Sequence, residues 1–141
     1  MLSKKDERIL SLLKKNAKLS SKQISGQTGI PVTTVHNRIK KLERDGVIRG
    51  YRAIVAREKT GKNVHAFVHI ELGMKREQAV VKTLEQMPEV EAWYILTGET
   101  DILLKVSVAD VHELNDLVLN KLKTVKSIKK TQTSLVLKGS D

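Results

Sequence analysis

The sequence predicts an α+β chain in two parts, a winged-type helix-turn-helix domain over residues 1–61 and a ferredoxin-like βαββαβ domain over residues 62–141. Three observations lead there. Apolar residues recur at helical spacing as far as Leu42, punctuated by start and stop signals at Ser20 and Gly29. From Val64 onward, period-two stretches and amphipathic stretches follow one another as strand, helix, strand, strand, helix, strand. Charge is partitioned as well. Residues 1–61 hold 15 Lys/Arg against 5 Asp/Glu and residues 62–141 hold 11 of each, so the whole +10 lies on the first part.

Taking the elements in order, Ser3 is a good N-cap, the acids Asp6 and Glu7 follow in the first turn, and Leu2, Ile9, Leu10, Leu12 and Leu13 mark a helix fading near Asn16. Ser20-Ser21-Lys22-Gln23 fits a capping box with Gln23 at the third position, and Gly29 sits where a left-handed residue would end that second helix. Pro31 blocks continuation and opens a third helix over residues 32–44. Val32, Val35, Ile39 and Leu42 form its apolar stripe. Thr33, His36, Asn37, Lys40, Lys41 and Arg44 lie opposite, with Thr34 and Arg38 on the flanks. Lys40-Lys41 alone would read as a solvated helix face. Together with hydroxyls and an amide, on the second helix of a short helix-turn-helix, the set has the chemistry of a major groove: amides and guanidinium groups bond base edges, while Lys and Thr hold phosphates. The concentration of positive charge points the same way, since each phosphate neutralised by Lys or Arg releases a counterion. All eight residues are therefore expected at double-stranded DNA. Asp45-Gly46 ends the helix, and residues 47–55 read as an extended arm in which Arg49 and Arg52 either touch the DNA backbone as a wing or simply tether the two domains.

In the second part, Val64, Ala66, Val68, Ile70 and Leu72 alternate with His65, Phe67, His69 and Glu71 as a strand broken by Gly73. Val80, Val81, Leu84 and Met87 mark a helix closed by Pro88. Residues 90–96 and 102–108 read as strands joined by the hairpin-like turn Thr97-Gly98-Glu99-Thr100-Asp101. Asp110 caps a helix with Val111, Leu114, Leu117, Val118 and Leu122 inward, and residues 128–137 form the last strand. Helices would cover one face of the sheet. The other, expected to carry Phe67, Trp93 and Ile95, is too apolar to stay wet, so a two-fold dimer is expected to cover it.

Asp6-Glu7-Arg8-Ile9-Leu10, Gly29 through Val35, Ile39-Lys40-Lys41-Leu42-Glu43 and above all Gly46-Val47-Ile48-Arg49-Gly50-Tyr51 resemble the Lrp/AsnC (feast/famine) family of transcriptional regulators. So do Ala66-Phe67-Val68, Pro88-Glu89-Val90, Thr97 to Asp101 and Asp110 to Leu114, so the resemblance spans nearly the whole chain. Two departures stand out: Pro31 where members often carry a capping Ser, and Lys123-Thr124-Val125-Lys126 where a Leu-Pro-Gly-like turn is common. The resemblance implies a DNA-binding regulator that dimerises and assembles further, to an octamer for example. In the loop Thr97, Gly98, Glu99, Thr100 and Asp101, Gly98 would let backbone N–H groups converge on a carboxylate while Asp101 meets an ammonium. By itself such a loop is usually a plain hairpin. The resemblance implies an amino-acid effector pocket there, and both readings stay open.

Absence of Cys excludes disulfides and thiolate chemistry, and no apolar run approaches the ~20 residues of a membrane span. With no signal-peptide core at residues 1–7, the expected location is the cytoplasm, without membrane contact. No metal or cofactor is expected. His65 and His69 share a strand face but stand roughly 13 Å apart, too far to chelate one ion, and no nucleophile–base–orienter trio is visible. Two alternatives are an effector-independent architectural DNA-binding protein and, less favoured, an enzyme resembling sirohaem decarboxylases, which would leave the basic helix face unexplained.

Overall fold

The computed structural model describes residues 1–74 and 76–140. The chain divides into two compact units, Met1–Ile54 and Val55–Asp141. The short 3-10 turn Arg57–Lys59 lies in the second unit, with Arg57 Nη2 3.6 Å from Glu91 Oε2. No helix of the described residues is long and apolar enough to cross a membrane.

In the first unit, helix α1 (Lys4–Lys15) starts from a complete capping box. Ser3 Oγ accepts from the Asp6 backbone N–H, and the Asp6 carboxylate accepts from the Ser3 N–H at 3.0 Å. Helix α2 (Ser21–Thr28) repeats the device with Ser20 and Gln23 and ends at Gly29, whose φ of 73° is the left-handed stop expected there. Helix α3 (Val32–Arg44) starts at Pro31 without any side-chain cap. Ile9, Leu13, Ile24, Ile30 and Val35 make the core, with Leu12, Leu19, Ile39 and Ile48 packed against it. Val32 departs from the expected stripe: one turn before Val35 at the helix entrance, it stays 44% exposed and contributes nothing to that core. Residues 47–55 form no strand.

The second unit follows the expected order. Strand β1 (Val64–Leu72) leads to helix α4 (Glu77–Leu84), strands β2 (Val90–Ile95) and β3 (Ile102–Val108), helix α5 (Val111–Asp116) and strand β4 (Ile128–Leu135). Asp110 Oδ1 accepts the Glu113 N–H at 2.8 Å and caps α5, which runs on as a π-helical turn, Leu117–Lys121, and a 3-10 turn, Leu122–Thr124. The sheet is antiparallel in the order β2-β3-β1-β4, with one face under the helices. Ala66, Val68, Ile70 and Leu72 of β1 and Ile102, Leu104, Val106 and Val108 of β3 meet Val80, Val81, Leu84, Leu114, Leu117 and Leu122 in the core. At roughly 1.5–3 kcal/mol for each fully buried aliphatic side chain, this cluster is the main source of cohesion in the unit.

The face assignment of β2 needs correction. Opposed residues on neighbouring strands share a face, and Trp93 opposes Leu104 while Ile95 opposes Ile102, so both point to the helix side. Trp93 packs on the core. The cause is a register shift between Val90 and Ala92, which reverses the alternation after Val90. The open face instead carries Phe67, Leu103 and Tyr94, with Lys105, His65 and His69 among them.

Candidate nucleic-acid interface and effector loop

Burial of Val35 and Leu42 turns the opposite side of α3 to solvent. Thr33, His36, Asn37, Lys40, Lys41 and Arg44 are all exposed, on one side of one helix. Among the described residues, the side chains of Thr33, His36, Asn37 and Lys41 have no hydrogen-bond or ion-pair partner, so their polar groups are open to a ligand. Lys40 Nζ lies 3.6 Å from Glu43 Oε2 and Arg44 Nε 3.5 Å from Asp45 Oδ1, with both cations more than 60% exposed. Pairs this wet are worth little and yield readily to a phosphate.

The flanking residues stand differently. Thr34 is half-buried. Arg38 turns toward α1, its Nη1 donating to Asp6 Oδ1 at 3.0 Å and to Ser3 Oγ at 3.1 Å. The Ser3 N–H first, and then the Ser3 hydroxyl and Arg38, hold the Asp6 carboxyl below its ordinary range against the opposing effect of burial. Arg38 therefore positions the helix rather than standing free on its outer face. Sequence reading missed this, because the partners are 32 residues apart and only the pairing of Asp6 with a cation from another helix would have signalled it.

The arm is anchored to α3 at two points. Ile48 N–H donates to the Leu42 carbonyl at 3.0 Å, and Tyr51 Oη donates to Glu43 Oε1 at 2.9 Å. Burial, and then the Glu43 carboxylate, push the Tyr51 phenol above its ordinary pKa. Arg49 and Arg52 flank these anchors and are exposed.

In the second unit the loop at residues 97–101 is a hairpin turn, closed by Leu96 N–H on the Asp101 carbonyl at 2.9 Å and tipped by Gly98 at φ 106°. Its residues part company. Thr97 and Gly98 are exposed at the tip, while the Asp101 carboxylate turns to β1 and accepts the Leu72 N–H through Oδ2 at 2.7 Å. Glu99 and Thr100 line a polar cavity of about 70 Å³ together with His69, Glu71, Lys130 and Gln132. His69 Nδ1 is 3.4 Å from Thr100 Oγ1. Carboxylates and an ammonium facing one small space suit a zwitterion such as an α-amino acid, whose ammonium and carboxylate share one carbon.

A trio that was not visible in sequence lies on the open sheet face. His65 Nδ1 is 2.7 Å from Ser107 Oγ, Ser107 Oγ donates to Glu91, and Glu91 is held by Arg57. Burial raises the Glu91 pKa, but Ser107 and Arg57 more than offset it and leave the group ionised further into acid. With the Ser107 proton directed at Glu91, the His65 Nδ1–H is the donor, the reverse of what activates a serine. Ser107 is also 1% exposed. The network leaves the buried Ser107 hydroxyl bonded on both sides, with His65 not placed as the base that takes its proton, as a nucleophile requires. Among the described residues no three His, Asp or Glu side chains are grouped to hold a metal.

Known proteins match both units. Residues 2–49 fit the winged helix-turn-helix DNA-binding model and residues 65–140 the Lrp/AsnC ligand binding domain model; neither describes an enzyme. An uncharacterised HTH-type transcriptional regulator of Pyrococcus abyssi is 35% identical over 131 residues, covering 93% of this chain and 83% of its own length. Escherichia coli AsnC superposes with a TM-score of 0.89 at 30% identity, over 99% of this chain and 94% of that one. A transcriptional regulator of Neisseria meningitidis solved in complex with L-Met gives 0.92 at 28% identity, over 98% and 91%. With helix-turn-helix and ligand-binding modules in the same order along its length, this chain belongs to the Lrp/AsnC family of DNA-binding transcriptional regulators.

Proposed function

We infer that this regulator reads specific DNA sequences through α3, and that its ligand-binding domain takes an amino acid or related small metabolite beside residues 97–101. The supporting observation is the outer row of α3, where Asn37 and Thr33 stand exposed and unpartnered among cations. Cations alone would hold any duplex. An exposed amide among them is the group that pairs bidentately with an adenine edge. A homodimer covering the Phe67, Leu103 and Tyr94 face would set two such helices on half-sites one turn apart, ~34 Å, or a multiple of it. Further association, to an octamer for example, would bridge or wrap several sites in the cytoplasm. An effector acts by favouring one assembly geometry over another.

Asn37→Ala tests sequence reading. It should cost about 1–3 kcal/mol on the target duplex and relax base preference at one position. Equal losses on target and scrambled duplexes would show that Asn37 reads nothing. For the effector, the L-Met complex of the Neisseria relative and the mixed charges of the cavity favour an amino acid. Calorimetry against the twenty amino acids checks this, with Glu99→Gln and Thr100→Val as the variants of choice, because replacing Asp101 would also release the Leu72 N–H. Silence from all twenty removes the amino acid and leaves a related metabolite or an effector-independent regulator.

A further inference from the structure

Residues 62–141 are neutral as a block, yet that neutrality conceals a segregation. Residues 62–120 carry ten Asp/Glu against five Lys/Arg, while residues 121–140 carry six Lys and no acid. Five of them lie on or beside β4, an edge strand of the sheet, while Lys121 ends the π-helical turn and faces Glu89 ahead of β2. Lys123 and Lys126 lie in the approach to β4, Lys129 and Lys130 on it, and Lys138 beyond it. Two of the six are neutralised: Lys121 by Glu89, and Lys129 by Glu71 at 2.9 Å. Lys123, Lys126, Lys130 and Lys138 are exposed and, among the described residues, have no carboxylate within 4.0 Å.

Protection of an exposed sheet edge is the bland explanation, since Lys on an edge strand blocks pairing with another chain. It accounts for Lys129 and Lys130 only. Lys123, Lys126 and Lys138 lie off the strand, and the opposite edge strand, β2, carries no Lys at all. Solubility does not explain the pattern either, because residues 62–141 have equal numbers of both signs. Like charges collected on one border repel one another, and a polyanion relieves that repulsion. Eight strand residues in β4 extend over ~26 Å, comparable with the ~34 Å turn of a duplex, so the row matches several successive phosphates.

We propose that this lysine border is a second phosphate-binding surface, on the ligand-binding domain, which holds duplex outside the half-sites read by α3. The proposal rests on the DNA-binding reading and extends it. It assigns part of the grip on DNA to the unit that receives the effector, so a ligand that rearranges that unit would alter the hold on flanking DNA as well as assembly.

The test uses the full chain with Lys123→Gln, Lys126→Gln and Lys138→Gln combined; Lys130 is left in place because it lines the polar cavity. Affinity is measured against salt on a duplex of about 20 bp spanning two half-sites and on one of about 60 bp with natural flanks. On the long duplex the variant should lose roughly 2–3 units of log-log slope per protomer, while the short duplex shows no change. The matching triple Lys→Arg variant should keep the wild-type slope. An unaltered slope on the long duplex overturns the proposal, and so does an equal loss on both lengths, which would place the effect at α3 or in folding. Failure of the unmodified protein to bind the short duplex sinks the DNA-binding reading and this surface with it. Normal short-duplex binding with an unaltered long-duplex slope sinks the surface alone.

Discussion

Replacing Arg38 by Ala separates a residue that builds the DNA-reading helix from one that touches DNA. Its Nη1 makes two bonds to the N-terminus of α1, with Asp6 Oδ1 at 3.0 Å and Ser3 Oγ at 3.1 Å. Side-chain exposures of 33% for Arg38 and 14% for Asp6 put the pair between the wet and the dry extremes. Charge-assisted bonds contribute about 1.5–3 kcal/mol when shielded and exposed ion pairs about 0–1, so a loss of about 1–2 kcal/mol is expected here. Native-state hydrogen exchange of α1 and α3 reads this directly, as opening that becomes roughly 5- to 30-fold more frequent. The salt slope of DNA binding, measured where the variant is still folded, should not move. A phosphate contact would instead lower the slope by about 0.9. Unchanged protection in α1 and α3 together with that fall in slope would refute the positioning role. The pair also has a pH signature. Because the Asp6 pKa is lower folded than unfolded, its contribution is present above its unfolded value near 3.9 and disappears as pH falls through the folded one.

Lys41→Ala should weaken binding on target and scrambled duplexes alike and flatten the log-log salt dependence by about 0.9, as read by fluorescence anisotropy; an unchanged slope excludes a phosphate contact there. Gly29→Ala should cost about 1–2 kcal/mol in urea unfolding. Space is free around the added methyl, but a φ of 73° strains any side chain, so a variant as stable as the parent would contradict the helix-stop geometry. Lys121→Met should reverse the response of the fold to acid. Burial pushes Glu89 upward, and the Lys121 ammonium together with the Glu89 backbone N–H more than offsets it and holds the group low. In the parent, the Glu89 contribution is lost as pH falls through its depressed value. In the variant the raised Glu89 favours its protonated form, so stability should be poor at neutral pH and recover on acidification. Unfolding midpoints that fall in parallel with pH for parent and variant would disprove this account.

Local chemistry made the helices and their limits readable from sequence. Ser3 and Ser20 bond N–H groups three residues away, Gly29 adopts a left-handed stop and Asp110 caps its own helix, so each signal and its response lie within one turn. The succession of strands along the chain was readable for the same reason, since alternation needs no knowledge of which strand pairs with which. The exposed row of α3 followed from its apolar stripe, apart from Val32, which sits at the helix entrance, 44% exposed and outside the core.

Sequence alone determined that this chain is a basic helix-turn-helix joined to a βαββαβ unit, with Thr33, His36, Asn37, Lys40, Lys41 and Arg44 facing outward, because helical and strand periods are properties of consecutive residues. Tertiary structure decided the rest. It turned Arg38 inward to Asp6, moved Trp93 to the covered face through one irregular pairing at residues 90–92, committed Asp101 to the Leu72 N–H and enclosed Ser107 between His65 and Glu91. Each of these depends on contacts between segments 11 to 42 residues apart, and in the sheet a single-residue shift in register exchanges the faces of a strand. No local period carries that information; it exists only once the segments have packed.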